Sequence, residues 1–214
     1  MRALEAGRSH DVDLLVGSNA DEGTFPYLRA RDYGIGFTTA AEFMNYVRGR
    51  FADDTPAFLA IYPAEHATAF DPAQREAFRD ETAWLARFSA AAHARRRDGH
   101  TWLYFFSHGP PAPAQGPDRG ATHGAEISYV FDMPATAWRD EDRRVADVVS
   151  AYWANFIARG DPNGPGLPAW PQFAVGGSRM NLGPMSSGLG LDAARVAVFD
   201  ALYRRTMVDQ RSGE

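Results

Sequence analysis

Cysteine and lysine are both absent from this 214-residue chain, and each absence excludes a set of functions. Without cysteine the chain has no disulfide framework, no thiolate nucleophile and no cysteine-ligated zinc site. All 22 positions of the lysine-plus-arginine class are arginine, which excludes a Schiff-base lysine, a P-loop lysine and a serine–lysine dyad. The compartment stays open, because a chain without cysteine is compatible with oxidising and reducing surroundings alike.

Long apolar runs are missing as well. No run approaches the roughly 18 residues of a membrane span, so we expect no membrane insertion. Met1 to Glu5 carry an acid early and no apolar core, so we expect no signal peptide there. The net charge is -5 and the arginines are scattered, apart from Arg95 to Arg97, so we expect no nucleic-acid partner.

The composition that is present is typical of a globular protein, with 45% hydrophobic and 23% charged residues. The length fits a single domain, or one large piece of a domain, over residues 1–214. The whole chain is therefore predicted to form one structural region.

The spacing of apolar residues and of turn-forming residues predicts two buried strands and several helices. Val12 to Asn19 (VDLLVGSN) and Thr101 to Ser107 (TWLYFFS) are short, apolar and followed by turn residues, as buried parallel strands are. Helices are predicted over 39–51, where Thr39 and Glu42 form a capping box, and over 56–62, 71–97, 140–159 and 192–208. The helix over 71–97 is expected to carry Phe78, Leu85 and Phe88 on its apolar side and to stop at Gly99, and the helix over 140–159 to stop at Gly160. Residues 172–175 and 179–182 are predicted to form a small antiparallel pair around Gly176 and Gly177. This order indicates an α/β fold with helices covering a sheet, yet two core strands are few for a chain of this length.

The first candidate for chemistry is an acidic residue directly after the first strand. In open α/β sheets, catalytic groups gather at the carboxyl ends of strands, where Asp21 and Glu22 lie. Geometry alone does not choose between these two neighbours, and a solvated acid in a turn remains the alternative interpretation.

The second candidate is His123, in the loop that follows the second strand. Histidine suits general base catalysis because its unperturbed pKa of about 6.5 lets it take and return a proton near neutral pH. Gly120 and Gly124 flank it and permit close backbone approach and unusual dihedral angles. The other five histidines lack such a setting, and His108 is interpreted as simply ending the strand.

An acid followed by a histidine is the order of the last two members of the α/β-hydrolase triad, in which a serine nucleophile comes first. The sequence contains no Gly-x-Ser-x-Gly segment around any serine. It also contains no glycine-rich oxyanion loop, because His108-Gly109 runs into Pro110, which has no N–H to donate.

Three segments, in order, resemble the later part of type-B carboxylesterases, the cholinesterase-like branch of the α/β-hydrolases. They are 15–25 (LVGSNADEGTF), 120–131 (GATHGAEISYVF) and 153–163 (WANFIARGDPN), the last followed by Trp170-Pro171. The resemblance implies that the chain is the carboxy-terminal part of an α/β-hydrolase fold, with few core strands covered by helices and an incomplete sheet.

The resemblance also implies roles for individual residues. Glu22, rather than Asp21, would be the triad acid and His123 the triad base, while Phe25 would line the acyl or alcohol pocket. Glu126 is interpreted either as a carboxylate near the histidine or as a polar residue at a helix start. Tyr129, Phe131, Trp153 and Phe156 are expected in the core.

The function that the resemblance implies is hydrolysis of a small-molecule carboxylic ester through an acyl-serine, with no cofactor and no metal. We expect the serine nucleophile to come from an amino-terminal portion outside this chain, and the chain alone to be inactive. An incomplete sheet leaves open edges and uncovered helix faces, so we also expect a homo-oligomer or a partner-bound state. The resemblance implies that the helix over 192–208 lies in a helical-bundle dimer interface.

Two alternatives remain open. A non-catalytic cholinesterase-like binding or adhesion module would need neither Glu22 nor His123, so the presence of both favours the enzyme. The other alternative is a self-contained chain with a different activity, in which Glu22 and His123 would lie far apart.

Overall fold

We analysed a computed structural model of the chain. It describes residues 6, 10, 12–23, 37–64, 70–95, 100–112, 118–174, 178–184 and 191–212, with the side chains of 70 and 207–212 left out. The contacts within the chain divide it into two compact units, Met1–Asp21 with Leu85–Gly188 and Glu22–Trp84 with Leu189–Glu214. A single domain over 1–214 therefore stays a prediction, and each unit is described by itself.

The first unit contains a three-stranded parallel sheet. Strand β1 (Leu14–Asn19) pairs with β2 (Thr101–Phe106), which pairs with β3 (Met180–Leu182), in the order β1-β2-β3. Five of the six β2 residues are buried, as expected for a central strand rich in aromatic residues. The two predicted strands are confirmed to within two residues at each end.

The predicted antiparallel pair around residues 176–177 is wrong. Met180–Leu182 is a strand, but it lies parallel to β2, with Tyr104 opposite Met180 and Phe106 opposite Leu182. Phe173 is not in a strand, and its N–H donates to the carbonyl of Thr101 at 2.8 Å. Both segments satisfy backbone groups along the second edge of buried β2, and this long-range pairing prevails over a local hairpin.

Helices cover the sheet of the first unit. Helix α5 (Asp140–Arg159) has the predicted bounds and ends at Gly160, whose φ of +73° forms the left-handed cap. The aromatic side chains of α5 meet the sheet edge-on, Phe156 against Trp102 and Trp153 against Tyr104. A short helix, α4 (Ile127–Val130), precedes α5 and begins directly after Glu126, as one interpretation of that residue implied.

The four aromatic residues expected in the core are not all buried. Tyr129 is fully buried, and Trp153 and Phe156 are half-buried, but Phe131 is 68% exposed. Phe131 follows the last residue of α4, at the point where the chain leaves the helix for a turn, so it does not share the buried face of Tyr129.

The second unit is helical. It contains α1 (Ala40–Phe51), a 3₁₀ turn (Ala52–Asp54), α2 (Thr55–Ile61), the first part of α3 (Phe70–Ala94) and α6 (Ala193–Ser212). The capping box predicted for α1 is present, since the Thr39 hydroxyl accepts from the Glu42 N–H at 3.2 Å and the Glu42 carboxylate accepts from the Thr39 N–H at 3.1 Å. The predicted helix over 71–97 ends at Ala94, and its proposed stop, Gly99, lies outside the described residues.

Aromatic contacts form the core of the second unit. Phe58 packs against Phe51 and Tyr62 with ring centroids 4.3 and 4.9 Å apart, and Trp84 contacts Phe199 and Tyr203 of α6. The sequence placed Phe78, Leu85 and Phe88 on the apolar side of α3, but Leu85 is 44% exposed. The buried side of α3 is instead built largely from alanines, such as Ala73, Ala77, Ala86 and Ala90, whose small side chains permit close helix packing.

Candidate active site

The carboxyl ends of β1 and β2 lie side by side. Asn19 is opposite Phe106 in the parallel register, and the Ala20 N–H extends the pairing by donating to the Phe106 carbonyl at 2.8 Å. The loops that follow both strands therefore leave the sheet at the same edge, which is where open α/β sheets carry their functional sites.

The loop that carries the histidine is tied to the segment after β1 by Asp21 and Ala121. The Asp21 N–H donates to the Ala121 carbonyl at 3.0 Å, and the Ala121 N–H donates to Oδ2 of Asp21 at 2.8 Å. The two segments are thus joined through both the backbone and the carboxylate of Asp21. Because this carboxylate holds the loop in place, the role of Asp21 is structural.

Gly120 makes this close approach possible. Its φ is +63°, in the left-handed region, and a Cβ added there would lie 2.2 Å from Oδ2 of Asp21. A side chain at this position would strain the backbone and displace the carboxylate at once. The predicted need for glycine beside the histidine is therefore confirmed. Gly124, which follows His123 directly, also has a positive φ, of +80°.

Asn19 fixes the turn in which the histidine lies. Its side-chain N–H group donates to the Thr122 carbonyl at 2.8 Å and to Oε2 of Glu126 at 2.5 Å. The Thr122 carbonyl also accepts from the Ala125 N–H at 2.9 Å, which closes the turn around His123. Asn19 is 1% exposed, so a buried amide at the end of the strand anchors both ends of this turn.

The predicted site residues have the following places. His123 is exposed at the turn, and Glu22 is half-buried and follows Asp21 directly in the chain. Glu126 precedes α4, but its side chain makes no capping hydrogen bond and instead accepts from Asn19. Phe25 lies outside the described residues.

A second buried group of polar residues lies beyond the end of β2, and sequence reasoning missed it. Asp142, at 0% exposure, accepts from Nε2 of His108 at 2.7 Å, from the Tyr129 hydroxyl at 3.1 Å and from the Arg139 N–H at 2.8 Å. Nε of Arg139 also donates to it, at 3.0 Å. The interpretation of His108 as a residue that simply ends the strand is therefore wrong, because its side chain is 4% exposed and joined to a carboxylate.

The electrostatics of this group follow from its hydrogen bonds. Burial alone would raise the pKa of Asp142, but hydrogen bonds from Arg139, His108 and Tyr129 outweigh it and hold the pKa well below its ordinary value. Burial and the nearby Asp142 carboxylate raise the pKa of Tyr129 well above the ordinary value for tyrosine. Asp142 therefore acts as an anion and Tyr129 as a hydrogen-bond donor.

One signal in the sequence could have found Asp142. It lies four residues before Ala146 and seven before Val149, which are both buried on α5, so helical spacing places it on the buried face. An acid in the first turn of a helix also favours the positive end of the helix dipole, so its presence there does not by itself indicate burial.

The described residues contain no group of three or more histidine, aspartate or glutamate side chains placed to hold a metal ion. Among the described helices, none combines the length and the apolar character needed to cross a membrane.

Comparison with known proteins relates the chain to ester hydrolases. The model of the carboxylesterase family matches residues 1–187. The fumonisin B1 esterase of Sphingopyxis macrogoltabida is 30% identical over 207 residues, which cover 88% of this chain and 36% of that protein. The bile salt-activated lipase of Rattus norvegicus is 30% identical over 72% of this chain and 28% of its own length. The acetylcholinesterase of Gallus gallus is 34% identical over 45% of this chain and 13% of its own length.

The chain thus spans about a third, or less, of the length of these relatives. Its small parallel sheet with covering helices is a partial α/β-hydrolase fold, as the resemblance implied. From the family match over most of its length, the chain belongs to the carboxylesterase family.

Proposed function

We propose that this chain supplies the acid and the histidine, Glu22 and His123, of a serine carboxylesterase that hydrolyses a small-molecule carboxylic ester. The proposal rests on family membership and on one structural observation. That observation is the double hydrogen bond between Asp21 and Ala121, which joins the segment leading to Glu22 with the segment leading to His123.

Three features support these roles. Glu22 comes one residue after Asp21, and His123 comes two residues after Ala121, so the joined positions bring both segments to one edge of the sheet. The Asp21 carboxylate is already engaged by the Ala121 N–H, which favours Glu22 as the acid. The side chain of Asn19 donates hydrogen bonds to the Thr122 carbonyl and to Glu126, and these bonds hold the turn of His123 in place.

In the proposed reaction, His123 takes the proton of a serine hydroxyl as the serine oxygen bonds to the ester carbonyl carbon. Glu22 accepts a hydrogen bond from the imidazole and stabilises its protonated form. The carbon–oxygen bond to the alcohol then breaks, and the alcohol leaves with the proton from His123. Water adds to the acyl-serine by the same route, which releases the carboxylic acid and restores the serine. Phe25 would line the pocket for the acyl or alcohol group.

The nucleophile and the oxyanion donors belong, in this proposal, to the remainder of the protein. The chain has no Gly-x-Ser-x-Gly segment, and it matches only 36% of the length of the fumonisin B1 esterase. Among the described strands, β1 pairs only with β2, so its other edge offers backbone groups to a further strand. An amino-terminal portion that adds strands beside β1 would carry the serine to the same edge of the sheet.

The test is a complementation assay with a 4-nitrophenyl ester. We expect no turnover by the purified chain alone, and turnover after co-folding with an amino-terminal carboxylesterase segment that carries the Gly-x-Ser-x-Gly motif. Glu22→Gln and His123→Ala in the complemented protein should each lower kcat by a factor on the order of 10⁴. His10→Ala, at an exposed position, is the matched control and should leave kcat unchanged.

Two results would contradict the proposal. The first is hydrolysis by the isolated chain that disappears when one of its own serines is replaced by alanine. The second is a complemented enzyme in which Glu22→Gln and His123→Ala keep full activity. A complemented protein that folds and binds a partner without any hydrolysis would favour the binding-module alternative.

We also propose that the chain self-associates. Phe131, Met133 and Ile157 are 68%, 52% and 78% exposed, so they offer apolar area to a partner. Val198, Phe199 and Leu202 of α6 are already buried, so the exposed side chains are the better candidates for an interface. Light scattering should find a dimer or larger species, whereas a monodisperse monomer would refute the proposal.

A further inference from the structure

A cavity of about 340 Å³ opens where α5 faces the carboxyl ends of β2 and β3. Its volume lies in the range of pockets that bind small molecules, roughly 300–1,000 Å³. None of its lining residues is among Glu22, Phe25, His123 and Glu126. The lining of this cavity is therefore distinct from the residues proposed for ester hydrolysis.

One side of the cavity is apolar and the other carries hydrogen-bonding groups. Val145, Val148 and Val149 of α5 form the apolar side together with Leu182, while His108 and Asn181 bring polar atoms. Such a division, a large hydrocarbon surface with a few placed polar groups, is typical of sites that bind a small amphipathic molecule.

His108 determines what kind of polar group fits. Its Nε2 is 2.7 Å from Oδ1 of Asp142, a carboxylate that only accepts hydrogen bonds. This bond requires a proton on Nε2, and in the neutral ring Nδ1 then carries a lone pair and is an acceptor. No described residue donates to Nδ1, although the His108 side chain is 4% exposed and lines the cavity.

The charges at the rim indicate a neutral ligand. Glu141 and Arg144, one acidic and one basic, both lie on α5 at the cavity and are both exposed. Their opposite charges give the entrance no net sign, so neither an anion nor a cation gains a clear advantage. The cavity therefore favours a ligand that has an apolar surface and one hydrogen-bond donor.

We propose that this cavity is a binding site for a small neutral alcohol or phenol, whose hydroxyl group donates to Nδ1 of His108 while its hydrocarbon part packs against Val145, Val148 and Val149. A carboxylic ester or an ether has no donor and lacks this interaction. The site goes beyond the proposed ester hydrolysis, and its test does not require hydrolytic activity.

The experiment is an NMR titration of the chain with phenol, observed at the ring nitrogens of its six histidines. We expect a saturable shift of His108 Nδ1, with the other histidines as internal references. Anisole, in which a methyl group replaces the hydroxyl proton, is the matched ligand and should bind at least tenfold more weakly.

Two variants separate the cavity from the rest of the surface. Val148→Phe, at a half-buried position, fills the cavity and should abolish the saturable shift. Ala158→Phe, at an exposed position on the same helix, should leave it unchanged. If Val148→Phe fails to fold by circular dichroism, Val145→Phe takes its place. A shift that does not saturate, equal affinities for phenol and anisole, or binding that survives the filled cavity would each overturn the proposal.

Discussion

Replacing Asp142 by alanine tests the buried network at the end of β2. In the native chain this carboxylate accepts hydrogen bonds from His108, Tyr129 and Arg139. The alanine variant leaves the His108 and Tyr129 donors buried without an acceptor, since both side chains are almost fully enclosed. Each such loss costs about 1–3 kcal/mol, so the free energy of unfolding should fall by about 2–6 kcal/mol.

Asp142→Asn is a milder perturbation of the same hydrogen-bond network. Its amide oxygen can still face His108 and Tyr129, while the charge that Arg139 pairs with is lost. Because the Arg139 side chain is 59% exposed and water can solvate it, the cost should be about 1–2 kcal/mol. Asp147→Ala, at an exposed position of the same helix, is the control and should change the free energy by less than about 0.5 kcal/mol.

The assay is urea unfolding at neutral pH, followed by tryptophan fluorescence. Four of the five tryptophans, Trp102, Trp138, Trp153 and Trp170, lie in the unit that contains Asp142, so the signal reports mainly on that unit. If Asp142→Ala unfolds at the same urea concentration as Asp147→Ala, the network contributes nothing to stability and the reasoning fails.

The pH dependence has a definite sign. The pKa of Asp142 is lower in the folded chain than in the unfolded chain, because its hydrogen bonds outweigh the effect of burial. Its stabilising contribution is therefore fully present above about pH 4, the unfolded value, and declines as the pH falls below it toward the lower folded pKa. The stability difference between the native chain and Asp142→Asn should shrink over that range; a difference that grows would refute the assigned direction.

Two further predictions concern other parts of the chain. Gly120→Ala should destabilise by about 1–3 kcal/mol more than Gly166→Ala, because both positions have positive φ but only the first places a Cβ against a carboxylate; urea unfolding of both variants measures this. Arg195→Met should lower the thermal stability of the second unit by about 1–3 kcal/mol, since Arg195 donates to Asp80, which is 5% exposed; Arg204→Met, at an exposed position of the same helix, is the control in circular dichroism melts.

The elements with strong local signals were predicted well. Helix α5 has the predicted bounds and ends before Gly160, and α1 has its Thr39–Glu42 capping box. Such caps act within a few residues of chain, so a single sequence contains them completely. The two buried strands were recognisable for the same reason, as short apolar runs followed by turns.

The errors have a common cause, which is competition from distant parts of the chain. Residues 180–182 were expected to pair with a neighbouring segment, but the edge of β2, about 75 residues earlier in the sequence, takes them instead. His108 and Asp142 are 34 residues apart, and nothing near either one shows that they meet. Phe131 and Leu85 were assigned to the core by hydrophobicity, which does not tell which side of an element is covered.

The family, the α/β class and the two segments expected to carry the acid and the histidine could be predicted from the sequence, because motifs and periodic patterns lie in consecutive residues. How those segments are held in place depends on contacts that form in the folded chain. The pairing of Asp21 with Ala121, the anchoring of the histidine turn by Asn19, and the burial of Asp142 against His108 all join residues far apart in the chain. Hydrogen bonds of this kind depend on the register of β1 beside β2 and on the packing of α5, which exist only once the chain has folded.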